Sequence, residues 1–140
     1  MAGRHLSLRI SEESFKKLES QGKRKRENVS EIGRRLIEEG LRMEAHPGIV
    51  FRDGVSGRQA ALAGGPALWW IVKDFRDWHD ESHPADQTVG AASVYPYQIR
   101  LALKYYSDFP DEIDERIALH EEESERAYSA WLDGQEISVG

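Results

Sequence analysis

The first residues suited to chemistry alternate with apolar residues in a short N-terminal segment, HLSLRIS. His5, Ser7 and Arg9 would therefore share one face of a β-strand. On such a face an arginine can donate two parallel hydrogen bonds to a guanine, a serine can contact several bases, and a histidine can contact a base or a phosphate. This spacing predicts a surface that recognises DNA bases in the major groove.

A basic run follows the first helical pattern of the chain: Lys23, Arg24, Lys25 and Arg26. Such a run attracts phosphates in a salt-dependent way that is independent of base sequence, although taken alone it is more often a solvated turn. Ser30 is placed to cap the helix that follows. The N–H groups of Glu31 and Ile32 would then be free to bind a phosphate.

A second group of residues has the types that bind metal ions. His79 and His83 have the i, i+4 spacing of a zinc pair, and Asp80 and Glu81 lie between them. Pro84 follows at once and makes a helix there doubtful, so a polar loop is the better interpretation. We therefore expect no metal site.

Other catalytic signals are weak. The chain has no cysteine, which excludes thiolate metal sites and cysteine nucleophiles. Gly54 and Gly57 form no phosphate-binding loop, because no helix starts directly after them and no Lys-Ser/Thr pair follows. We expect a protein that is not an enzyme and that uses no cofactor.

The DNA-directed residues require a strand over residues 5–10. Leu6, Leu8 and Ile10 form its apolar face, and Ser11 ends it as the N-cap of a helix. No second strand follows within hairpin distance, and an unpaired strand edge promotes aggregation. The simplest partner is therefore the same strand of a second copy.

Two helical patterns follow the strand, over residues of about 12–22 and 31–43. Together with the strand they predict a homodimer. Its shared apolar core would contain Leu6, Leu8, Ile10, Ile32 and Leu36.

Residues 5–43, from HLSLRISEESFKKL to NVSEIGRRLIEEGLRM, resemble the ribbon-helix-helix domain of Arc, MetJ and CopG-type repressors. The resemblance implies an intertwined homodimer whose two-stranded ribbon recognises operator DNA. It assigns Ser7 and Arg9 to base recognition and Ser30 to phosphate binding.

Charge divides the chain into two parts. Residues 1–44 carry eleven basic and eight acidic residues, whereas residues 45–140 carry eight basic and seventeen acidic residues. Such an asymmetry indicates separate partners. We expect a DNA-binding and dimerisation domain over 1–44 and a domain with another partner over 45–140.

The second part predicts a β-hairpin followed by helices. The stretch GIVFRDGVSGRQAALAGG predicts two short strands around a turn at Asp53 and Gly54. Helical patterns then cover residues 66–78, 94–109 and 110–134. The last six residues are expected to be loose.

Residues 46–117 are similar to the small helical, winged-helix-like domain of many bacterial antitoxins, chiefly over YPYQIRLALKYYSDFPDEID. Chains that join both domains resemble VapB-type antitoxins. The resemblance implies a mainly α fold with a short N-terminal strand, repression of its own operon, and neutralisation of a PIN-like ribonuclease toxin. The alternative is a stand-alone repressor whose second domain senses a ligand or adds DNA contacts.

The last helical pattern forms an amphipathic tail that could bind a partner protein. Tyr128 and Trp131 are candidate aromatic anchors. Arg116 or Arg126 can reach the carboxylates of a metal-dependent nuclease and displace its cation. Packing of the two aromatic residues on the chain's own helices is an equally open interpretation.

Residues 95–106 also offer Tyr97, Arg100 and Lys104 as part of a second DNA-contacting helix, with a core-packing helix as the favoured alternative. No apolar run is long enough to cross a membrane, and the N-terminal residues are too polar for a secretory signal. We therefore expect a cytoplasmic protein with no membrane partner.

Overall fold

The computed structural model describes residues 3–80 and 94–139. Within these ranges the protein is mainly helical, with five helices and one two-stranded antiparallel hairpin. The elements are α1 (Glu12–Lys25), α2 (Val29–Ala45), β1 (Ile49–Gly54), β2 (Gly57–Leu62), α3 (Leu68–Asp80), α4 (Pro96–Asp108) and α5 (Pro110–Val139). The chain divides into two compact units, Met1–Ala45 and His46–Gly140.

The predicted N-terminal strand is wrong for the single chain. Residues 5–10 form no strand, and every one of them is exposed. A strand requires a neighbour for its backbone N–H and C=O groups. In the described part of the chain the two strands pair with each other, and neither pairs with residues 5–10.

The first unit is a pair of packed helices. Ser11 caps α1 as predicted, because its Oγ accepts a hydrogen bond from the Ser14 N–H at 3.1 Å. Ile32 on α2 is fully buried. Gly22 is buried on α1, and a Cβ atom placed there would lie 3.5 Å from Ile32 Cδ1. The two helices therefore pack against each other at Gly22 and Ile32.

The first helix does not end at Gly22, as the sequence predicts, but continues to Lys25. Lys23, Arg24 and Lys25 form its last turn. Arg26 ends the helix with a left-handed backbone, φ 56°, a conformation that costs a non-glycine residue about 1 kcal/mol. The Glu27 N–H then donates to the Gly22 carbonyl at 3.0 Å.

The hairpin has its turn at Val55 and Ser56 instead of Asp53 and Gly54. Its last pair joins Gly54 to Gly57. Gly57 has φ 106°, so the positive φ that the Asp-Gly pattern predicts occurs three residues later, at the other glycine of the turn.

The second unit encloses a single apolar core between the hairpin and α3, α4 and α5. Its buried members include Ile49, Leu62, Leu68, Val72, Ile99, Ala102, Tyr105, Ile113 and Ile117. Tyr105 is fully buried, and its hydroxyl donates to Glu112 Oε2 at 2.9 Å. This hydrogen bond satisfies the one polar group of the ring.

Candidate nucleic-acid and partner interfaces

The N-terminal segment exposes aliphatic side chains that the single chain does not cover. Leu6 is 66% exposed and Leu8 is 61% exposed. On α2 of the same unit Leu36 and Leu41 are exposed as well, whereas Ile32 is buried within its own chain. Exposed aliphatic residues that recur along a segment in this way are typical of a surface that binds another molecule.

The polar residues of the segment are equally accessible. His5 Nε2 and Ser7 Oγ lie 3.0 Å apart, which puts both side chains on one side of the segment. Arg9 is exposed, and no described carboxylate pairs with it. All three predicted base-contacting residues can therefore reach a ligand.

An open cleft of about 450 Å³ lies at the turn between α1 and α2, and Lys23 and Arg26 line it. Its two carboxylates are Glu19 and Glu27. Arg35 Nη1 binds both carboxylate oxygens of Glu27, at 2.8 and 2.9 Å. This ion pair compensates the Glu27 charge, so the cations dominate the cleft.

The cap of α2 is Asn28, not Ser30. Asn28 Oδ1 accepts the Glu31 N–H at 2.8 Å, and Asn28 Nδ2 donates to Glu31 Oε1 at 2.9 Å. The Ile32 N–H donates to the Asn28 carbonyl at 3.2 Å. The N–H groups of Glu31 and Ile32 are therefore engaged, and the predicted phosphate contact through them is wrong.

At the start of α2, the N–H groups that can still bind a phosphate belong to an earlier pair of residues. Helix geometry leaves the N–H groups of Val29 and Ser30 without an intrahelical acceptor. Val29 also lines the cleft that contains Lys23 and Arg26. The signal for the true cap was in the sequence, because Asn28 is followed three residues later by Glu31 in the spacing of a capping box.

The distal part of α5 has no covering surface in the described chain. Every residue from 121 to 135 is exposed, and the helix continues to Val139 through the residues expected to be loose. Tyr128 is 62% exposed and Trp131 is 57% exposed, with ring centroids 6.0 Å apart. The alternative that these two residues pack on the chain's own helices is therefore wrong.

The two arginines predicted to bind a partner have different environments. Arg116 Nη1 donates to the Ser56 carbonyl at 2.6 Å, and Nη2 donates to the Arg58 carbonyl. This arginine holds the hairpin turn. Arg126 forms an ion pair with Glu122 on the exposed part of α5, so it shares that surface with the aromatic residues.

The candidate zinc pair lies at the edge of the described residues. Glu81 and His83 lie outside the described residues, as do the side chains of His79 and Asp80. In residues 3–80 and 94–139 no group of three or more His, Asp and Glu side chains is arranged to hold a metal ion. In the same ranges no helix has the length and apolar character needed to cross a membrane.

Two polar clusters inside the second unit escaped the sequence patterns. His46 is buried, and its Nε2 lies 2.9 Å from Asp108 Oδ2. On the far side of α4, the Tyr106 hydroxyl donates to Asp114 Oδ1 at 2.7 Å, which raises the pKa of Tyr106. These contacts join α4 to His46 and to α5, and they do not involve Tyr97, Arg100 or Lys104.

Comparisons with known proteins give no match to the chain, whether to a family model, to a curated protein or to a solved structure.

Proposed function

We propose that the protein is a homodimeric, DNA-binding antitoxin that represses its own operon and neutralises a toxin through α5. Its first unit would be a ribbon-helix-helix domain and its second a winged-helix-like domain. The observation that carries the proposal is the N-terminal segment, in which exposed Leu6, Leu8 and Ile10 alternate with exposed polar residues.

Pairing of two N-terminal segments would remove both the unpaired backbone and the exposed aliphatic surface of each segment. Each segment supplies the neighbouring strand that the other lacks, and the aliphatic side chains of both copies leave water. Burying a Leu or Ile side chain stabilises a fold by about 1.5–3 kcal/mol. Three such residues from each copy would contribute on the order of 5–10 kcal/mol, since each is about half exposed in the single chain.

The polar face of the paired segments is then a ribbon of the width that enters a DNA major groove. His5, Ser7 and Arg9 would face the bases from both copies. Lys23 and Arg26, with the first N–H groups of α2, supply phosphate contacts. Arg24 and Lys25 add to the positive charge of the same turn.

The partner of α5 would be an apolar groove with a basic rim. Tyr128, Trp131 and Leu132 are exposed at i, i+3 and i+4, the spacing of anchors on a helix that binds in a groove. Residues 121–125 carry four glutamates on the same helix, which favours a basic partner surface. A PIN-like ribonuclease is the partner that the family resemblance implies.

The decisive experiment is growth of cells that express the gene adjacent to this one. We expect arrest that the full chain relieves and that a chain ending at His120 does not relieve. The shortened chain ends directly after His120, whose ring contacts Trp69, so it keeps the residues that form the core. A Tyr128→Ala/Trp131→Ala variant should fail in the same way while still binding DNA.

A harmless neighbouring gene would contradict the antitoxin assignment and leave the stand-alone repressor. Relief of arrest by the chain that ends at His120 would contradict the role of α5 alone. Absence of DNA binding by the full chain would contradict both assignments, the antitoxin that represses its own operon and the stand-alone repressor.

A further inference from the structure

Two cations of the second unit bind no acidic group or carbonyl in the part of the unit that the structure describes. Six of its eight basic residues bind carboxylates or carbonyls of the same unit: Arg52, Arg58, Lys73, Arg76, Arg116 and Arg126. The remaining two are Arg100 and Lys104 on α4. Both are exposed, and neither forms an ion pair with any part of the chain that the structure describes.

These cations share a face with exposed aromatic rings. Tyr97, Arg100 and Lys104 follow the i, i+3, i+7 spacing of one helix face, and all three are exposed. Tyr95 precedes the helix and stacks on Tyr97, with ring centroids 6.0 Å apart and planes inclined by 12°. We call these four residues the α4 face.

The opposite side of the same helix is committed to the core. Ile99, Ala102 and Tyr105 are buried, so core packing uses a different face of α4 from the one that carries Tyr97, Arg100 and Lys104. The sequence offered these two roles as alternatives. The helix has residues for both.

The charge around the α4 face contrasts with the rest of the unit. Residues 94–107 contain no acidic residue, whereas residues 108–125 contain nine carboxylates and one arginine. The nearest carboxylate along the face is Asp108, and His46 Nε2 lies 2.9 Å from its Oδ2. Among the described residues, the α4 face is thus positive, in contrast with the acidic stretch that follows it.

We propose that the α4 face is a second DNA-contacting surface, which binds phosphates of duplex DNA through Arg100 and Lys104. The hydroxyls of Tyr95 and Tyr97 are further donors for the same phosphates. An α-helix fits the major groove, and unpaired cations keep their full attraction for a polyanion. The inference rests on the proposed function in that the ligand is the same operator DNA.

The test is the salt dependence of DNA binding by the full chain. An Arg100→Gln/Lys104→Gln variant is titrated with duplex DNA from upstream of its own gene and with a random duplex of equal length. Each lost phosphate contact lowers the slope of log K against log salt by about 0.9. We expect a decrease of about 2 for a dimer that uses one α4 face and about 4 for one that uses both, on both duplexes.

The matched control is Arg58→Gln/Lys73→Gln, which removes the same charge from two cations that already pair with Asp53 and Asp77. Its slope should equal that of the wild type. Tyr97→Phe keeps the stacked ring and removes one donor, so it should weaken binding on both duplexes without changing the slope.

The outcomes separate this inference from the proposed function. An unchanged slope in Arg100→Gln/Lys104→Gln, with wild-type DNA binding intact, would overturn the inference and leave the first unit as the DNA-binding surface. Loss of binding in this variant but not in Arg9→Ala would support the α4 face and contradict the role of the first unit. Tighter binding to single-stranded than to duplex DNA would overturn the assignment to duplex DNA, and absence of any DNA binding would overturn both proposals.

Discussion

Replacement of Gly22 by alanine tests how closely the turn after α1 approaches that helix. A Cβ atom at Gly22 would lie 2.5 Å from the carbonyl oxygen of Glu27, whereas ordinary contacts begin at 3.4 Å. The obstacle is backbone, which cannot rotate away as a side chain can. The Glu27 N–H also donates to the Gly22 carbonyl at 3.0 Å, so a shift of the turn would weaken this hydrogen bond.

Two effects of the substitution oppose each other. Alanine is favoured over glycine inside a helix by about 1 kcal/mol, and forcing an extra carbon into a packed site costs about 1–3 kcal/mol. Loss or weakening of the turn hydrogen bond adds about 1 kcal/mol. We expect Gly22→Ala to lower the free energy of unfolding by about 1–3 kcal/mol.

Gly40→Ala is the matched control, because no atom lies within 4 Å of a Cβ atom at Gly40. It should stabilise α2 by up to about 1 kcal/mol. The assay is urea unfolding followed by two signals. All four tryptophans belong to the second unit, so tryptophan fluorescence reports that unit, whereas circular dichroism reports the helices of both.

Gly22→Ala should shift the dichroism transition and leave the fluorescence transition in place. If Gly22→Ala were as stabilising as Gly40→Ala, the close approach between the turn and α1 would be refuted. The same result would also contradict the geometry of the cleft that contains Lys23 and Arg26.

Three further predictions address the dimer, the bases and the pH dependence. Leu8→Asp should place a charge in the shared core and convert the dimer to a monomer in sedimentation velocity, whereas Val55→Asp, at a fully exposed position in the hairpin turn of the second unit, should keep the dimer; a dimeric Leu8→Asp would contradict pairing through residues 5–10. Arg9→Ala should weaken operator binding by about 1–3 kcal/mol with the dimer intact, and an equal loss on random DNA would contradict base recognition. The hydrogen bond to Asp114 raises the pKa of Tyr106 above its ordinary value of 10.0, so its contribution to stability is complete below that value and is lost as the pH rises through the raised pKa. Tyr106→Phe should reduce the alkaline loss of stability seen by tryptophan fluorescence, and an unchanged alkaline limb would contradict the role of this hydrogen bond.

The helices of the second unit were predictable because their apolar pattern is used inside the same chain. The sequence predicts a helix over 94–109, and α4 is Pro96–Asp108. Its buried residues Ile99, Ala102 and Tyr105 contact neighbours supplied by the chain itself. In such a segment, local periodicity and the final environment give the same answer.

The N-terminal segment shows where this agreement ends. Leu6, Leu8 and Ile10 have the period of a strand, but no strand in the described part of the chain pairs with them. Under the proposed dimer, the neighbouring strand comes from a second copy, which the local pattern of one sequence does not describe. The predicted cap of α2 is wrong for a different reason. Asn28 and Ser30 are both good capping residues, and only the position of Glu31 distinguishes them.

The availability of cations is the property that sequence is least able to predict. Arg116 and Arg100 are both arginines on helices of the acidic unit; the sequence offered Arg116 or Arg126 for partner binding and Arg100 for DNA contact, and did not show which of them the fold itself would bind. The fold brings the carbonyls of the hairpin turn to Arg116, sixty residues away in the case of Ser56, whereas it brings no described acceptor to Arg100. A cation whose hydrogen bonds are satisfied would have to give them up to bind a ligand, and a free one loses only its hydration. This difference in cost is why the tertiary contacts of an arginine, rather than its motif, decide which surface we expect to contact DNA.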